Sequence, residues 1–439
     1  MPAFDDHHPP RRDLLADCVH CGFCLPACPT YVLWGEEMDS PRGRIHLMSQ
    51  ALDGEPLSDS MVSHFDQCLG CLACVPACPS GVRYDLLIAD TRQQVERRHP
   101  RSRSERALRG AIFRLFPYPR RLRALRGPLR AYQASGLRRL VARGGLLRRL
   151  PALATLDSLV PRLGRREPLP RRLRARGPRR ATVGLLTGCV QDAFFPQVNA
   201  ATARVLVAEG CDVVIPRGQG CCGALSLHSG REAQARRLAR GVVDAFEGTG
   251  VEYLVVNSAG CGSALKEYAT VLRDDPGYAD RAARLAATVR DLSEVLVELG
   301  PVAPRHPLPV TVAYHDACHL GHAQGVRSQP RRLLRGIPGV ELRELAGGEL
   351  CCGSAGVWNV LHPEPARQLG ERKAHDALAT GARLFVTANP GCLMQVASAA
   401  SRVGGARPAL GFAHTAEVLD AAIRGLPVDR LLAAARPAG

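Results

Sequence analysis

An all-helical domain followed by two similar α/β domains with parallel sheets is the fold class that this sequence predicts. Three observations predict it. Two twelve-residue stretches, CVHCGFCLPACP from Cys18 and CLGCLACVPACP from Cys68, echo each other near the N-terminus, with helical segments between them. A second, larger repeat fills the C-terminal half. Within it, strand-like runs alternate with helix-like runs, the pattern of a parallel sheet with helices on its faces.

Residues 1–95 form the first predicted domain. SPRGRIHLMSQAL and SDSMVSHFDQC read as helices between the cysteine stretches. Each stretch is C-x2-C-x2-C-x3-C-P. Such spacing aims three thiolates at one [4Fe–4S] cluster, and in two-cluster ferredoxins the fourth, before proline, ligates the other cluster. Cys18, Cys21, Cys24 and Cys78 are thereby assigned to one cluster, and Cys68, Cys71, Cys74 and Cys28 to the second. Gly22 and Gly70 are expected where the backbone approaches a cluster closely. Zinc knuckles also use C-x2-C, but they take two cysteines each, whereas each stretch here offers four and a trailing proline.

Residues 96–180 read as a connector with short helices. Between Arg101 and Arg180 there are 24 Arg against 3 acidic residues, so this segment carries more than the whole net charge of +17. Three readings follow: nucleic-acid binding, contact of basic amphipathic helices with anionic lipid, or a solvated linker. Few aromatics are interleaved and no nucleic-acid motif is present, so no nucleic-acid partner is expected.

Residues 181–305 and 306–439 are the two copies of the larger repeat. LLTGC at Cys189, GQGCCG at Cys221 and VVNSAGC at Cys261 are matched by AYHDAC at Cys318, GELCCGSAG at Cys351 and VTANPGC at Cys392. The intervening lengths are 31 and 38 residues in the first copy, 32 and 39 in the second. ATVGLL, CDVVIP and VEYLVV read as strands in the first copy; VTVAYH, VELREL and ARLFVTA do so in the second. Each cysteine group then follows the carboxyl end of a strand, where open α/β sheets bind ligands. Cys189, Cys221, Cys222 and Cys261 can converge on one metal site, and Cys318, Cys351, Cys352 and Cys392 on another. Four thiolates suit an iron–sulfur cluster or a zinc ion. His315, His319 and His322 gather around Cys318. A cap or a hydrogen bond beside the site is their expected role, and His20 and His414 are read likewise; an imidazole ligand is the alternative. Arg42 and Arg44 stand either as tuners of a cluster or contacts for a partner, or as solvated helix charges. Asp316 and Lys266 are proton-chemistry candidates that no motif places. Cys211 stands apart and reads as a small buried hydrophobe.

The chain has 439 residues, of which 46% are apolar, enough for several cores. No apolar run is long enough for a membrane span, and no secretory signal opens the sequence, so a cytoplasmic protein is expected, peripheral to the inner face of the membrane at most. Seventeen cysteines in a reducing compartment point to metal rather than disulfides. No G-x-G-x-x-G fingerprint opens a strand–helix unit, so no dinucleotide site of that kind is evident.

These motifs resemble known families. The N-terminal part is similar to the helical ferredoxin domain of succinate dehydrogenase and heterodisulfide reductase iron–sulfur subunits. The C-terminal copies resemble the "CCG" domains of heterodisulfide reductase catalytic subunits, in which a fifth cysteine completes a final C-x-x-C. Here Ala264 and Gln395 stand at that position, leaving four cysteines per copy, which argues against direct disulfide-reductase chemistry. Over nearly its whole length the chain resembles the iron–sulfur subunit of glycolate oxidase (glycolate dehydrogenase). The telling pieces are CVHCGFCLPACPTY, PRGRIHLM, CLGCLACVPACPSGVRY, NAATARVL, GCGSALKEY, ELCCGSAG and HTAEVL. The resemblance implies an oxidoreductase subunit that relays electrons from FAD-containing subunits, which oxidise glycolate to glyoxylate, toward quinone or another membrane acceptor. Its cofactors would be two [4Fe–4S] clusters, with further clusters or zinc in the CCG domains. The alternatives are the same machinery serving lactate or glycerol 3-phosphate, and a thiol–disulfide oxidoreductase.

Overall fold

The computed structural model describes residues 3–143, 150–164, 166–404 and 410–435. Its N-terminal part is helical. Helices Pro29–Trp34, Pro41–Leu52, Asp59–Gln67 and Tyr84–Arg98 frame the two cysteine stretches. Ser40 and Ser58 cap two of them, accepting from Gly43 N–H and Met61 N–H, a substitute for the missing intrahelical acceptors. Met48, Phe65, Leu87 and Val95 fill the small core between them.

Among the described residues nine strands follow in two sheets. The first runs β1-β3-β2-β4-β5, with β1 Arg172–Leu173, β2 Ala181–Leu186, β3 Cys211–Val214, β4 Tyr253–Val256 and β5 Val289–Asp291. All its pairings are parallel except β1 against β3. The second runs β7-β6-β8-β9, wholly parallel, with β6 Val310–Tyr314, β7 Val340–Glu344, β8 Leu384–Thr387 and β9 Gly411–His414. The inner strands are continuous apolar runs because helices cover both faces. One large core joins the sheets, running from Val183 and Val213 through Leu292 and Val295 to Val312, Phe385 and Val396. Cys211 lies fully buried within it.

The basic segment is packed. Helices Arg103–Leu115, Pro119–Ala134, Leu137–Arg143 and Pro151–Leu159 lie along the C-terminal half. Phe113 and Ile112 pack with Val357 and Val360, and Leu122 packs among the core residues of the first copy. Several arginines are spent internally. Arg109 reaches Glu96 at 2.8 Å, Arg166 reaches Asp192 at 2.8 Å, and the buried Arg126 donates to the carbonyls of Ala193 and Gly164. β1 also comes from this segment, so its last residues extend the first sheet. Among the described residues no helix is long and apolar enough to cross a membrane.

Candidate metal centres

The two N-terminal stretches fold alike. Each places left-handed backbone at the same two positions: His20 (φ 53°) and Gly22 (φ 87°) in the first, Gly70 (φ 64°) and Leu72 (φ 60°) in the second. Each glycine also admits an arginine. A Cβ on Gly22 would lie 2.9 Å from Arg42 Nη1, and one on Gly70 would lie 2.8 Å from Arg92 Nη1. Guanidinium groups thus lie close against both glycines. Arg42 donates to His20 O at 2.8 Å and pairs with Glu37; Arg92 donates to the carbonyls of Cys68 and, at 2.9 Å, His228.

Burial separates the two sulfur groups. Cys21 is exposed and Cys18, Cys24 and Cys78 are half-buried. Burial still pushes the Cys24 thiol up to about 11, against a backbone N–H from Arg42, and Cys18 and Cys28 are its charged neighbours. In the other group Cys28, Cys68, Cys71 and Cys74 are all buried. Cys74 feels Cys71, Cys68, Cys28 and Cys24, so cysteines of the first stretch lie beside the second. Burial would raise the Cys68 thiol, but Arg44, Arg92, the Gly70 N–H at 3.4 Å and the Tyr84 hydroxyl at 3.7 Å outweigh it, and the net direction is down. Arg44 is no solvated helix charge. Its side chain is buried, bonded to Asp39, Thr30 and the His64 carbonyl, with Nη1 4.0 Å from Cys28 Sγ.

The C-terminal cysteines also converge. Cys221 Sγ lies 3.3 Å from Cys189 Sγ, and the Cys222 thiol contacts both Cys221 and Cys261. Hydrogen bonds with the thiols of Cys189 and Cys222 hold the Cys221 pKa well down. In the second copy Cys351 contacts Cys318 and Cys352, and Cys352 contacts Cys392. There the lowered thiol is Cys352, held down by Cys351 and Cys392 and then by His315. The fifth-cysteine positions offer no free ligand. Ala264 has no donor atom, and Gln395 is engaged by Ala366 O at 2.7 Å and Asn359 at 3.0 Å.

The histidines part company. His319 bonds the Gly70 carbonyl at 2.8 Å and His322 the Glu349 carbonyl at 2.9 Å. His414 accepts from Ala416 N–H at 3.0 Å, capping the helix after β9, and bonds Asn257 O at 2.8 Å. His315 has both ring nitrogens buried with no oxygen or N–H partner, the Cys352 sulfur alone interacting with it, and its ring stacks on Phe385 at 5.6 Å. Sequence spacing alone missed Lys373, which is buried beside Cys351, Cys352 and Cys392 with its ammonium on Gly347 O. Lysine on an otherwise apolar helix face was the available signal. Asp316 and Lys266 are taken up in ion pairs with Arg331 and Glu294.

The four groups are contiguous. Cys318 is the strongest electrostatic neighbour of Cys71, and Leu69, Cys71 and Ala73 share one apolar cluster with Cys351 and Trp358. Helix Ala259–Lys266, which carries Cys261, packs on helix Cys318–Gly321. Gln324 ties them, donating to Ala259 O and His319 O at 3.0 Å each. Converging, largely buried thiols bonded by N–H and O–H donors fit iron–sulfur chemistry.

This fold and these sulfur groups define an iron–sulfur electron-transfer protein. Residues 14–82 match a 4Fe–4S dicluster domain, residues 183–266 and 312–397 match a cysteine-rich domain, and residues 104–160 match the linker region of the glycolate oxidase iron–sulfur subunit. The chain is 40% identical to a probable glycolate oxidase iron–sulfur subunit of Bacillus subtilis over 89% of its length and 90% of that protein. It is 36% identical to the glycolate oxidase iron–sulfur subunit of Escherichia coli over 88% of its length and 90% of that protein. Lactate utilization protein A of Halalkalibacterium halodurans matches at 33% over 54% of the chain and 96% of that protein. The chain belongs to the glycolate oxidase iron–sulfur subunit family, and is thus an iron–sulfur component of an oxidoreductase.

Proposed function

We propose that the chain relays electrons from an FAD-containing, glycolate-oxidising subunit toward a quinone. Cys18, Cys21, Cys24 and Cys78 would hold one [4Fe–4S] cluster and Cys28, Cys68, Cys71 and Cys74 the other. Cys189, Cys221, Cys222 and Cys261, and Cys318, Cys351, Cys352 and Cys392, would each hold a further metal centre. Such clusters supply one-electron carriers when bound, and the protein sets their potentials through burial, hydrogen bonds and nearby charge. Arg44, Arg92 and Tyr84 perform that tuning at the second N-terminal group, and the surrounding apolar side chains keep water out.

The observation that carries this reading is the unequal cover of two equivalent stretches. Leu69 and Ala73, at 8% and 3% exposure, are buried against the second C-terminal copy, beside Cys318. Their counterparts Val19 and Phe23 are 67% and 66% exposed, next to the exposed Cys21. The covered face points inward to the next sulfur group, and the open face suits a redox partner docking over the first. Replacing Val19 and Phe23 together by Glu tests this. Reduction by the catalytic subunit should fall at least about tenfold, a loss of about 1.4 kcal/mol in docking, with iron content and reduction by dithionite unchanged. An unchanged rate would remove the docking face.

Exposed Leu137, Leu140, Leu150 and Leu153 among the arginines of the basic segment support contact with anionic lipid. Sedimentation with anionic vesicles, lost at high salt and absent with zwitterionic vesicles, is the expected result. The likeness to lactate utilization proteins supports lactate as the second donor to try; reduction of the assembled complex by glycolate, lactate or glycerol 3-phosphate decides between them.

A further inference from the structure

Strand register and cysteine spacing bring the two cysteine-rich copies into correspondence, and two of the buried positions where they differ lie beside the second cysteine group. The strand register fixes the first. Leu185 opposes Val255 in one sheet and Tyr314 opposes Val386 in the other. The following residue, three before the first cysteine of each copy, is Leu186 in the first copy and His315 in the second. The glycine after each cysteine pair fixes the second position. Gly223 lies against Ala235 and Leu238, and Gly353 against Ala366 and Leu369. Seven residues beyond Ala235 and Ala366 stand Val242 and Lys373. An apolar pair in one copy is therefore a histidine and a lysine in the other, both about 1% exposed.

Burying an imidazole with neither nitrogen bonded costs free energy. Its three sister histidines avoid that cost through carbonyl or N–H partners; His315 has only the Cys352 sulfur beside it. Its ring nitrogen and the sulfurs of Cys352 and Cys392 all lie within 4.8 Å of one another. Metal–ligand bonds of about 2.0–2.3 Å span such a triangle from a single ion. Asn389 Nδ2 already donates to Cys392 Sγ at 3.4 Å, as it would to a thiolate. The Phe385 stack fixes the ring plane, and the Lys373 ammonium beside the group fits the negative charge of metal-bound thiolates.

We propose that His315 is a metal ligand of the second cysteine-rich site, so that this site is a mixed imidazole–thiolate centre while the first is thiolate only. The inference rests on the reading that the second site holds metal. An imidazole added to the four thiolates brings no charge of its own, so the Lys373 ammonium beside the site, which the first copy lacks, is what favours the reduced state. The second site would then be an electron sink relative to the first.

The test uses full-length, anaerobically purified protein with 15N-labelled histidine. If the second site is paramagnetic, electron–nuclear double resonance should show one strongly coupled histidine nitrogen. His315→Leu, which installs the residue of the first copy, should abolish that coupling, with the other signals intact. If the site carries zinc, zinc-edge absorption should show a nitrogen scatterer that His315→Leu removes, and His315→Cys should restore metal with sulfur in its place. No histidine nitrogen in the wild type, or a nitrogen signature that survives His315→Leu, overturns the inference alone. Wild type and Cys352→Ser with equal iron and zinc would mean that the site holds no metal, which overturns both the inference and the relay reading of that site.

Discussion

Arg44, Arg92 and Gly70 show how single residues govern the second N-terminal sulfur group. Arg44 is a fully buried cation whose countercharges are Asp39 and the thiolates of Cys28 and Cys68. Removing one member of a buried pair strands the other, at a cost of about 3–5 kcal/mol. Arg44→Met should therefore lower the thermal midpoint and, by removing positive charge, also lower the potential of the nearby cluster in an EPR-monitored titration; Arg44→Lys should restore much of the potential. A potential unmoved by Arg44→Met would mean that the guanidinium is structural only. At Gly70 two penalties combine. Its φ of 64° costs a side-chain-bearing residue about 1–2 kcal/mol, and a Cβ would press on Arg92. Gly70→Ala is expected to destabilise the domain and release iron, while His20→Ala, at the matching position already without glycine, changes little. Iron content and the thermal midpoint of the two variants read this directly.

At the scale of elements, capping supplies a pH-dependent term. Asp291 ends β5 and caps the helix Leu292–Leu299, accepting from Ser293 N–H at 2.8 Å while Glu294 accepts from its own N–H. Burial pushes its carboxyl up to about 6, the Ser293 bonds notwithstanding. A folded pKa raised above the unfolded 3.8 gives stability that is full below the unfolded value and is lost as pH rises through 6. Asp291→Asn keeps a capping oxygen and cannot ionise. Between pH 5 and 7.5 it should gain about 1 kcal/mol on the wild type, read as a relative rise in thermal midpoint; a pH-independent difference would contradict it. The elements that were legible in sequence are those whose pattern is local. ATVGLL, VEYLVV and VTVAYH announce β2, β4 and β6 because a buried parallel strand is an unbroken apolar run. β5 and β9, VRD and GFAH, are short and carry Arg or His, so nothing local marked them; each is set by its neighbour in the sheet. The cysteine groups were legible through spacing. That Arg42 and Arg92 fill the space beside Gly22 and Gly70, that Lys373 is buried beside the second C-terminal cysteine group, and that His315 faces the Cys352 sulfur and no carbonyl all depend on contacts between distant segments.

Across the whole molecule, the N-terminal domain is held against the duplicated half by ion pairs such as Arg97–Glu232 and by a second group of contacts that also bring the sulfur groups together. Trp358 packs with Leu69, Cys71 and Ala73 and donates from its indole N–H to Asp66 O at 3.2 Å. His319 reaches Gly70 O, and Arg92 reaches His228 O. Trp358 follows the Cys351–Cys352 pair by six residues, so the segment that shapes the second cysteine-rich site also clamps the domain that faces it. Truncating a buried tryptophan costs about 3–5 kcal/mol, and here most of that loss falls on the interface and not on either core. Trp358→Ala should leave iron in the N-terminal pair and their reduction by the catalytic subunit in place. Onward reduction of the C-terminal centres, followed by rapid freeze-quench EPR, should slow by about tenfold or more, because a loosened interface no longer holds Cys71 beside Cys318. Trp358→Phe, which keeps the apolar packing and loses only the bond to Asp66, should lie between the two. Equal onward rates in all three proteins would show that electrons leave the N-terminal domain by a face other than the one that Trp358 seals.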